Sequence, residues 1–152
     1  MARYAQIRKL DVADGPGCRV AIYFQGCPIH CPGCHNQSIW DFEGGKEFTS
    51  DTLDTIYELA KPDYIQGLSI VGGEPLAPQN IEATLLLVDR FKEKYPNKDI
   101  WLWTGYYYKD IKKEIEGHDI DVIVDGPFIE KLKDLRLEFR GSSNQHIIYL
   151  KK

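Results

Sequence analysis

The sequence predicts an α/β fold with a mainly parallel sheet, and three observations support this. Short apolar segments rich in β-branched and aromatic residues alternate along the chain with segments of helical period. Of the residues, 43% are hydrophobic and 28% charged, the balance of a soluble globular chain with a core to bury. At 152 residues the chain suits one domain, residues 1–152, whereas a complete eight-unit barrel takes roughly 250 residues, so any (β/α) barrel here is partial.

The elements follow in order. Tyr4-Ala5-Gln6-Ile7-Arg8-Lys9-Leu10 alternates weakly, and Arg19-Val20-Ala21-Ile22-Tyr23-Phe24 is dense in β-branched and aromatic residues. Both read as strands, joined in a hairpin-like opening by the turn-forming Asp14-Gly15-Pro16-Gly17. A cysteine-rich loop comes next. Thr49-Ser50-Asp51-Thr52 offers N-cap candidates for a helix through Leu53, Ile56, Tyr57 and Ala60, which Lys61-Pro62 brings to an end. Leu68-Ser69-Ile70-Val71 reads as a short buried strand ending in Gly72-Gly73. From Asn80, the residues Ile81, Leu85, Val88 and Phe91 recur at helical spacing, with Lys92-Glu93-Lys94 towards the C-terminal end and Pro96-Asn97 as the stop. Ile100-Trp101-Leu102-Trp103 reads as a strand and residues 108–116 as a charged surface helix stopped by Gly117. Val122-Ile123-Val124 and His146-Ile147-Ile148-Tyr149-Leu150 complete the strands. Crossover helices force the strands they join to run parallel, so the strand C-termini open on one side, where α/β folds place their sites.

Composition narrows the function classes. Lys and Arg number 19 against 23 Asp and Glu, a net charge of −4, so phosphate attraction is not built into the whole surface and a nucleic-acid partner is disfavoured. No segment approaches the roughly eighteen unbroken apolar residues of a membrane span, and the opening residues lack the apolar centre of a signal peptide. The chain is read as cytoplasmic, with no membrane partner. Three of the four cysteines crowd into Cys27 to Cys34 without distant partners to cross-link, which points to a metal or redox site rather than disulfides.

That loop, Gly26-Cys27-Pro28-Ile29-His30-Cys31-Pro32-Gly33-Cys34-His35-Asn36, has the spacing Cys-x3-Cys-x2-Cys directly after a strand. Three thiolates from one loop cap three corners of a cubane cluster and leave the fourth iron open to chelate a substrate. Two plainer readings stand beside this one. A structural zinc site needs a fourth ligand, for which Cys18 lies nine residues upstream and His35 adjoins Cys34 too closely for easy tetrahedral ligation. A thioredoxin-like pair at Cys31 and Cys34 leaves Cys27 without a use. Cys18, outside the spacing, reads as a small core residue.

The cysteine loop resembles the cluster motif of the radical S-adenosylmethionine enzymes, and Gly72-Gly73-Glu74-Pro75-Leu76 resembles the GGE motif of the same family. Within it the chain resembles the activases of glycyl-radical enzymes, in particular those serving an anaerobic ribonucleoside-triphosphate reductase. Asp14-Gly15-Pro16-Gly17-Cys18-Arg19, Cys34-His35-Asn36, Trp103-Thr104-Gly105-Tyr106, Asp125-Gly126-Pro127-Phe128 and Gly141-Ser142-Ser143-Asn144-Gln145 carry that likeness nearly end to end.

The resemblance implies a partial α/β barrel in which Cys27, Cys31 and Cys34 hold a 4Fe-4S cluster. It implies that Gly33, Cys34, His35, Gly72, Gly73 and Glu74 form the S-adenosylmethionine site, with Glu74 receiving the methionine ammonium. It also implies an external one-electron donor, flavodoxin-like or similar, and reductive cleavage to a 5'-deoxyadenosyl radical that takes hydrogen from a glycine of the reductase large subunit. No general acid or base is required. Where many relatives carry an aromatic residue before the third cysteine, this chain has Gly33, so adenine rests on backbone or against His35; His35 reads equally as a solvated loop residue. Thr104 and Asp125, after strands, are either rim residues of the site or turn formers, and Arg19 is either paired with a carboxylate or exposed. Tyr106-Tyr107-Tyr108 is either helix-entry packing or part of a partner surface. Two other functions remain open at this level: a radical S-adenosylmethionine enzyme acting on a small molecule, and a non-catalytic metal or electron-transfer module.

Overall fold

The computed structural model describes residues 2–31 and 39–150. Seven strands form its sheet: β1 (Arg3–Asp11), β2 (Cys18–Phe24), β3 (Lys46–Glu47), β4 (Ile65–Gly72), β5 (Asp99–Trp103), β6 (Val122–Asp125) and β7 (His146–Tyr149). Their order is β3-β1-β2-β4-β5-β6-β7, so the sheet ends at β3 and β7 and is not closed. The four central strands β2, β4, β5 and β6 run parallel, while β1, β3 and β7 pair antiparallel at the flanks. The expected parallel sheet is thus confined to its centre. Where no crossover helix intervenes, as between β1 and β2 or β6 and β7, the chain returns antiparallel.

Strand β2 is buried from Val20 to Phe24, as expected for a strand covered on both faces. Alternation sends Val20, Ile22 and Phe24, with Leu68, Ile70, Ile100, Leu102 and Ile123, into one core against Ile56 and Ala60 of α1 (Ser50–Ala60) and Leu87, Val88 and Phe91 of α2 (Ile81–Lys94). The opposite face carries Ala21, Tyr23, Val71, Trp101, Trp103, Val122 and Val124. Both long helices begin and end where their sequence signals place them, with Thr49 and Asn80 as N-caps. The Thr49 amide donates to the Thr52 hydroxyl at 3.0 Å, fixing the entry to α1.

Residues 108–116 differ from the expected helix. Only α3 (Tyr108–Ile111) is helical, and the chain continues in turns until Gly117, at φ 85°. Amides of Glu114 and His118 donate to carbonyls three residues back, Ile111 and Ile115, so the segment is wound more tightly than an α-helix. Ile111 and Ile115 still reach the core. A segment this short does not hold an α-helix by its own propensity, and packing sets its path.

Arg19 resolves to the paired alternative. Its fully buried guanidinium donates to the Ser69 hydroxyl at 2.6 Å and to the Leu68 and Pro16 carbonyls, and meets Asp99 at 2.6 Å. A Cβ at Gly67 would collide with Asp99 and crowd this guanidinium, which explains the glycine there. The Ser69 hydroxyl in turn donates to the Asp14 carbonyl, so the buried network pins residues 11–17 over the sheet.

Candidate functional site

The C-terminal ends of the four parallel strands meet at one cavity of about 370 Å³, within the range of small-molecule sites, roughly 300–1,000 Å³. Cys27 and Cys31 come from the loop after β2, Gly72, Gly73 and Glu74 from the end of β4, Thr104 and Gly105 from the end of β5, and Gly126 from the end of β6. The two sequence motifs, 45 positions apart from Cys27 to Gly72, therefore share one cavity wall.

Backbone contact holds these loops together. The Gly73 amide donates to the Phe24 carbonyl at 3.0 Å and the Glu74 amide to the Gly26 carbonyl at 2.7 Å. The Asn80 side-chain amide donates to the carbonyls of Gln25 and Glu74, at 3.1 and 2.9 Å, tying the start of α2 to both loops. Gly72 sits at φ 116°, and a Cβ at Gly73 would collide with the Gly26 backbone. Only glycine allows so close an approach of two main chains.

Cys27 is buried, and burial pushes its thiol above its usual pKa; backbone amides of His30 and Ile29 hydrogen-bond to it and oppose the rise. Amides aimed at a sulfur from its own loop are a feature of iron–sulfur sites, where they stabilise the thiolate. The donor set present therefore fits an iron–sulfur group: two thiols at the mouth of a partly enclosed cavity, one already supplied with amide donors. Among the described residues no group of three or more His, Cys, Asp or Glu side chains has metal-binding geometry. The third expected ligand, Cys34, lies outside the described residues, as do Gly33 and His35. Cys18 starts β2, at the far end of a seven-residue strand, and packs against the helix-side core, so it stands apart from Cys27.

Glu74 is fully buried and its carboxyl is engaged by the chain itself. One oxygen accepts from the Thr104 hydroxyl at 2.6 Å and the Leu76 amide at 3.0 Å, the other from the Gly105 amide at 2.6 Å. Burial raises its pKa to about 7 against the lowering effect of these donors. The side chain thus fastens the end of β4 to the end of β5, and Gly72, Gly73 and Glu74 all line the cavity from that loop. Thr104 lines the cavity, whereas Asp125 faces elsewhere: it accepts from the Tyr108 and His146 amides and so caps α3 and anchors β7. Tyr106 and Tyr108 pack against the core, the helix-entry reading of that aromatic run.

Of the far wall, Trp103, Phe128 and Gln145 fall in segments that carry the family resemblance, while Phe139 and Arg140 had no signal in the sequence. Trp103, Phe128, Phe139, Arg140 and Gln145 line it, the last four from irregular chain between β6 and β7, where no hydrophobic period exists to be read. Asp14 closes another side, its carboxylate accepting from the Tyr23 hydroxyl at 2.6 Å. Burial and the neighbouring Asp11 raise the Asp14 pKa to about 6.

A four-strand cavity mouth carrying one buried and one half-buried loop cysteine fits an iron–sulfur class of protein, and residues 13–148 match the family model of a 4Fe-4S single cluster domain. The chain is 43% identical over 144 residues to the anaerobic ribonucleoside-triphosphate reductase-activating protein of Enterobacteria phage T4, covering 95% of this chain and 92% of that one. Proteins of the same description from Salmonella typhimurium and Escherichia coli K12 are 42% and 41% identical, with 98% and 97% of this chain and 99% of each relative covered. The chain belongs to the family of anaerobic ribonucleoside-triphosphate reductase-activating proteins. Among the described residues no helix is long and apolar enough to cross a membrane.

Proposed function

We propose that this protein is a radical S-adenosylmethionine oxidoreductase that activates an anaerobic ribonucleoside-triphosphate reductase by generating a glycyl radical on its large subunit. The single observation that supports this best is the shared cavity of Cys27, Cys31 and the 72–74 main chain at the ends of four parallel strands. Cys27, Cys31 and Cys34 hold the 4Fe-4S cluster, which when bound supplies the electron that cleaves S-adenosylmethionine to methionine and the hydrogen-abstracting 5'-deoxyadenosyl radical.

The chain's own residues bind, orient and shield. The open sheet is then the partial barrel of this enzyme class, with the cavity at its strand ends open to the partner. The methionine ammonium is received at residues 72–74 by Glu74, whose carboxyl is positioned by its bonds to Thr104 and Gly105. Gly33 and His35 complete the adenosyl end. The inner-face aromatics Trp103, Phe128 and Phe139 exclude water from the cavity. An external one-electron donor, flavodoxin-like or similar, reduces the protein, and the setting is cytoplasmic.

The test is anaerobic product analysis. The reconstituted, reduced protein is expected to release methionine and 5'-deoxyadenosine, faster with the reductase present, and C31A is expected to lose cluster loading and cleavage together. Near-normal cleavage by C31A contradicts the reading, and cleavage indifferent to the reductase points to a small-molecule substrate instead.

A further inference from the structure

Residues 39–45 are laid back over the start of the cysteine loop. The Gly26 and Cys27 amides donate to the carbonyls of Ile39 and Trp40, at 2.6 and 3.0 Å, and a Cβ at Gly26 would collide with the Phe42 ring. The Gln25 side-chain amide donates to the Asp41 carbonyl at 2.7 Å, and the Arg3 guanidinium donates to the Gly44 and Gly45 carbonyls at 2.8 and 2.7 Å. This segment is therefore a strap, fixed to the start of β1 and to the end of β2.

A ring contact joins the strap to the cysteine loop itself. His30 and Trp40 stack with ring centroids 4.5 Å apart and planes inclined by only 6°. Trp40 Nε1 is buried and makes no hydrogen bond, so packing, the stack included, orients the indole. His30 stands between Cys27 and Cys31 with its backbone in the left-handed region, φ 51°. Few non-glycine residues adopt that conformation unless their surroundings hold them in it. Ile29, its neighbour, lines the cavity, whereas His30 is exposed and turned to Trp40.

The conformation held this way bears on the sulfur, because amides of Ile29 and His30 hydrogen-bond to Cys27. The peptide that carries the His30 amide is planar, and φ at His30 sets how it is turned against the ring, so ring and amide are positioned together. Donors to the sulfurs of a cluster favour its more negative, reduced form and so raise its potential. We propose that the His30–Trp40 stack is a clasp for the cysteine loop, holding His30 in its left-handed conformation and the two amides on Cys27, and thereby raising the reduction potential of the cluster. His30 and Trp40 are positioning residues, and neither is assigned a bond to the cluster. The inference rests on the iron–sulfur reading of the loop and not on the S-adenosylmethionine chemistry proposed above.

The experiment is an anaerobic redox titration of the reconstituted protein without S-adenosylmethionine, followed by electron paramagnetic resonance, with iron and sulfide content measured alongside. Wild type, W40A, W40F, H30A and the double variant H30A/W40A are compared. In W40A and H30A the ratio of reduced to oxidised cluster at a fixed potential is expected to fall about tenfold, the scale of one hydrogen bond to a charged group and equal to about 59 mV for one electron. W40F keeps an aromatic face without the indole nitrogen and should titrate like wild type, and the double variant should shift no further than either single one. An unchanged potential in loaded W40A or H30A makes the stack a surface contact and overturns the proposal. A shift in W40F as large as that in W40A assigns the effect to the indole nitrogen and overturns it as well. If W40A loads no cluster, H30A, which alters an exposed ring, decides by the same criterion. A wild-type protein that loads no 4Fe-4S cluster removes the iron–sulfur reading itself, an outcome distinct from failure of the clasp.

Discussion

At Glu74 the carboxyl group that the family resemblance places on a ligand is also bonded by its own protein. Three donors hold it in a fully buried position and burial sets its pKa at about 7, against an ordinary 4.5. Between these values the folded state holds a proton that the unfolded state has released. Stability of the cluster-free protein should therefore fall as pH rises from about 4.5 through about 7. Asp14, raised from 3.8 to about 6, contributes a slope of the same sign lower in that window. Urea midpoints measured across the range should show E74Q flattening the profile between about pH 4.5 and 7, with the Asp14 slope left in the lower part and little slope above pH 6. An E74Q profile as steep as wild type there would mean that Glu74 is ionised throughout. The glutamate's place at a strand end was legible from Gly72-Gly73-Glu74. Its bonding was not, because Thr104 and Gly105 lie 30 and 31 positions away and only the parallel pairing of β4 with β5 brings them near.

Elements were legible in proportion to their local signals. Helices α1 and α2 have caps, an apolar stripe and a stop within their own sequence, and form as those signals require. The segment 108–116 has an apolar pair, Ile111 and Ile115, that predicts which residues are buried but not the winding of the backbone between them. Strand β3, two exposed residues long, is recognised only by its pairing to β1. The wall formed by 126–145 is set by side-chain-to-backbone bonds from Asn144, Gln145 and Arg140, which leave no periodic trace. The join between the loops after β2 and β4 is likewise an element-scale property. G73A should force them apart, since the added carbon meets the Gly26 backbone rather than a side chain able to move. The expected cost is about 1–3 kcal/mol of stability by urea unfolding, the range for overpacking, with weakened S-adenosylmethionine binding. Wild-type values for both would show that the two loops are not so closely joined.

For the whole molecule, an open sheet with antiparallel flanks gathers four parallel strand ends on one cavity while helices cover only the opposite face. The half of the sheet bearing Ala21, Val71, Trp101 and Val124 is roofed by loops, residues 11–17 and 126–145, and not by further barrel units. The proposed activation requires a segment of the reductase to reach the cavity, and an unclosed sheet suits that task better than a sealed barrel. On the proposed function, the cysteine loop and the 72–74 loop act together on one ligand. The decisive measurement reconstitutes the protein anaerobically with iron and sulfide, reduces it, and records its electron paramagnetic resonance spectrum with and without S-adenosylmethionine. A reduced 4Fe-4S signal that changes shape when S-adenosylmethionine is added is the predicted result, and a colourless protein holding a single zinc ion would contradict the account.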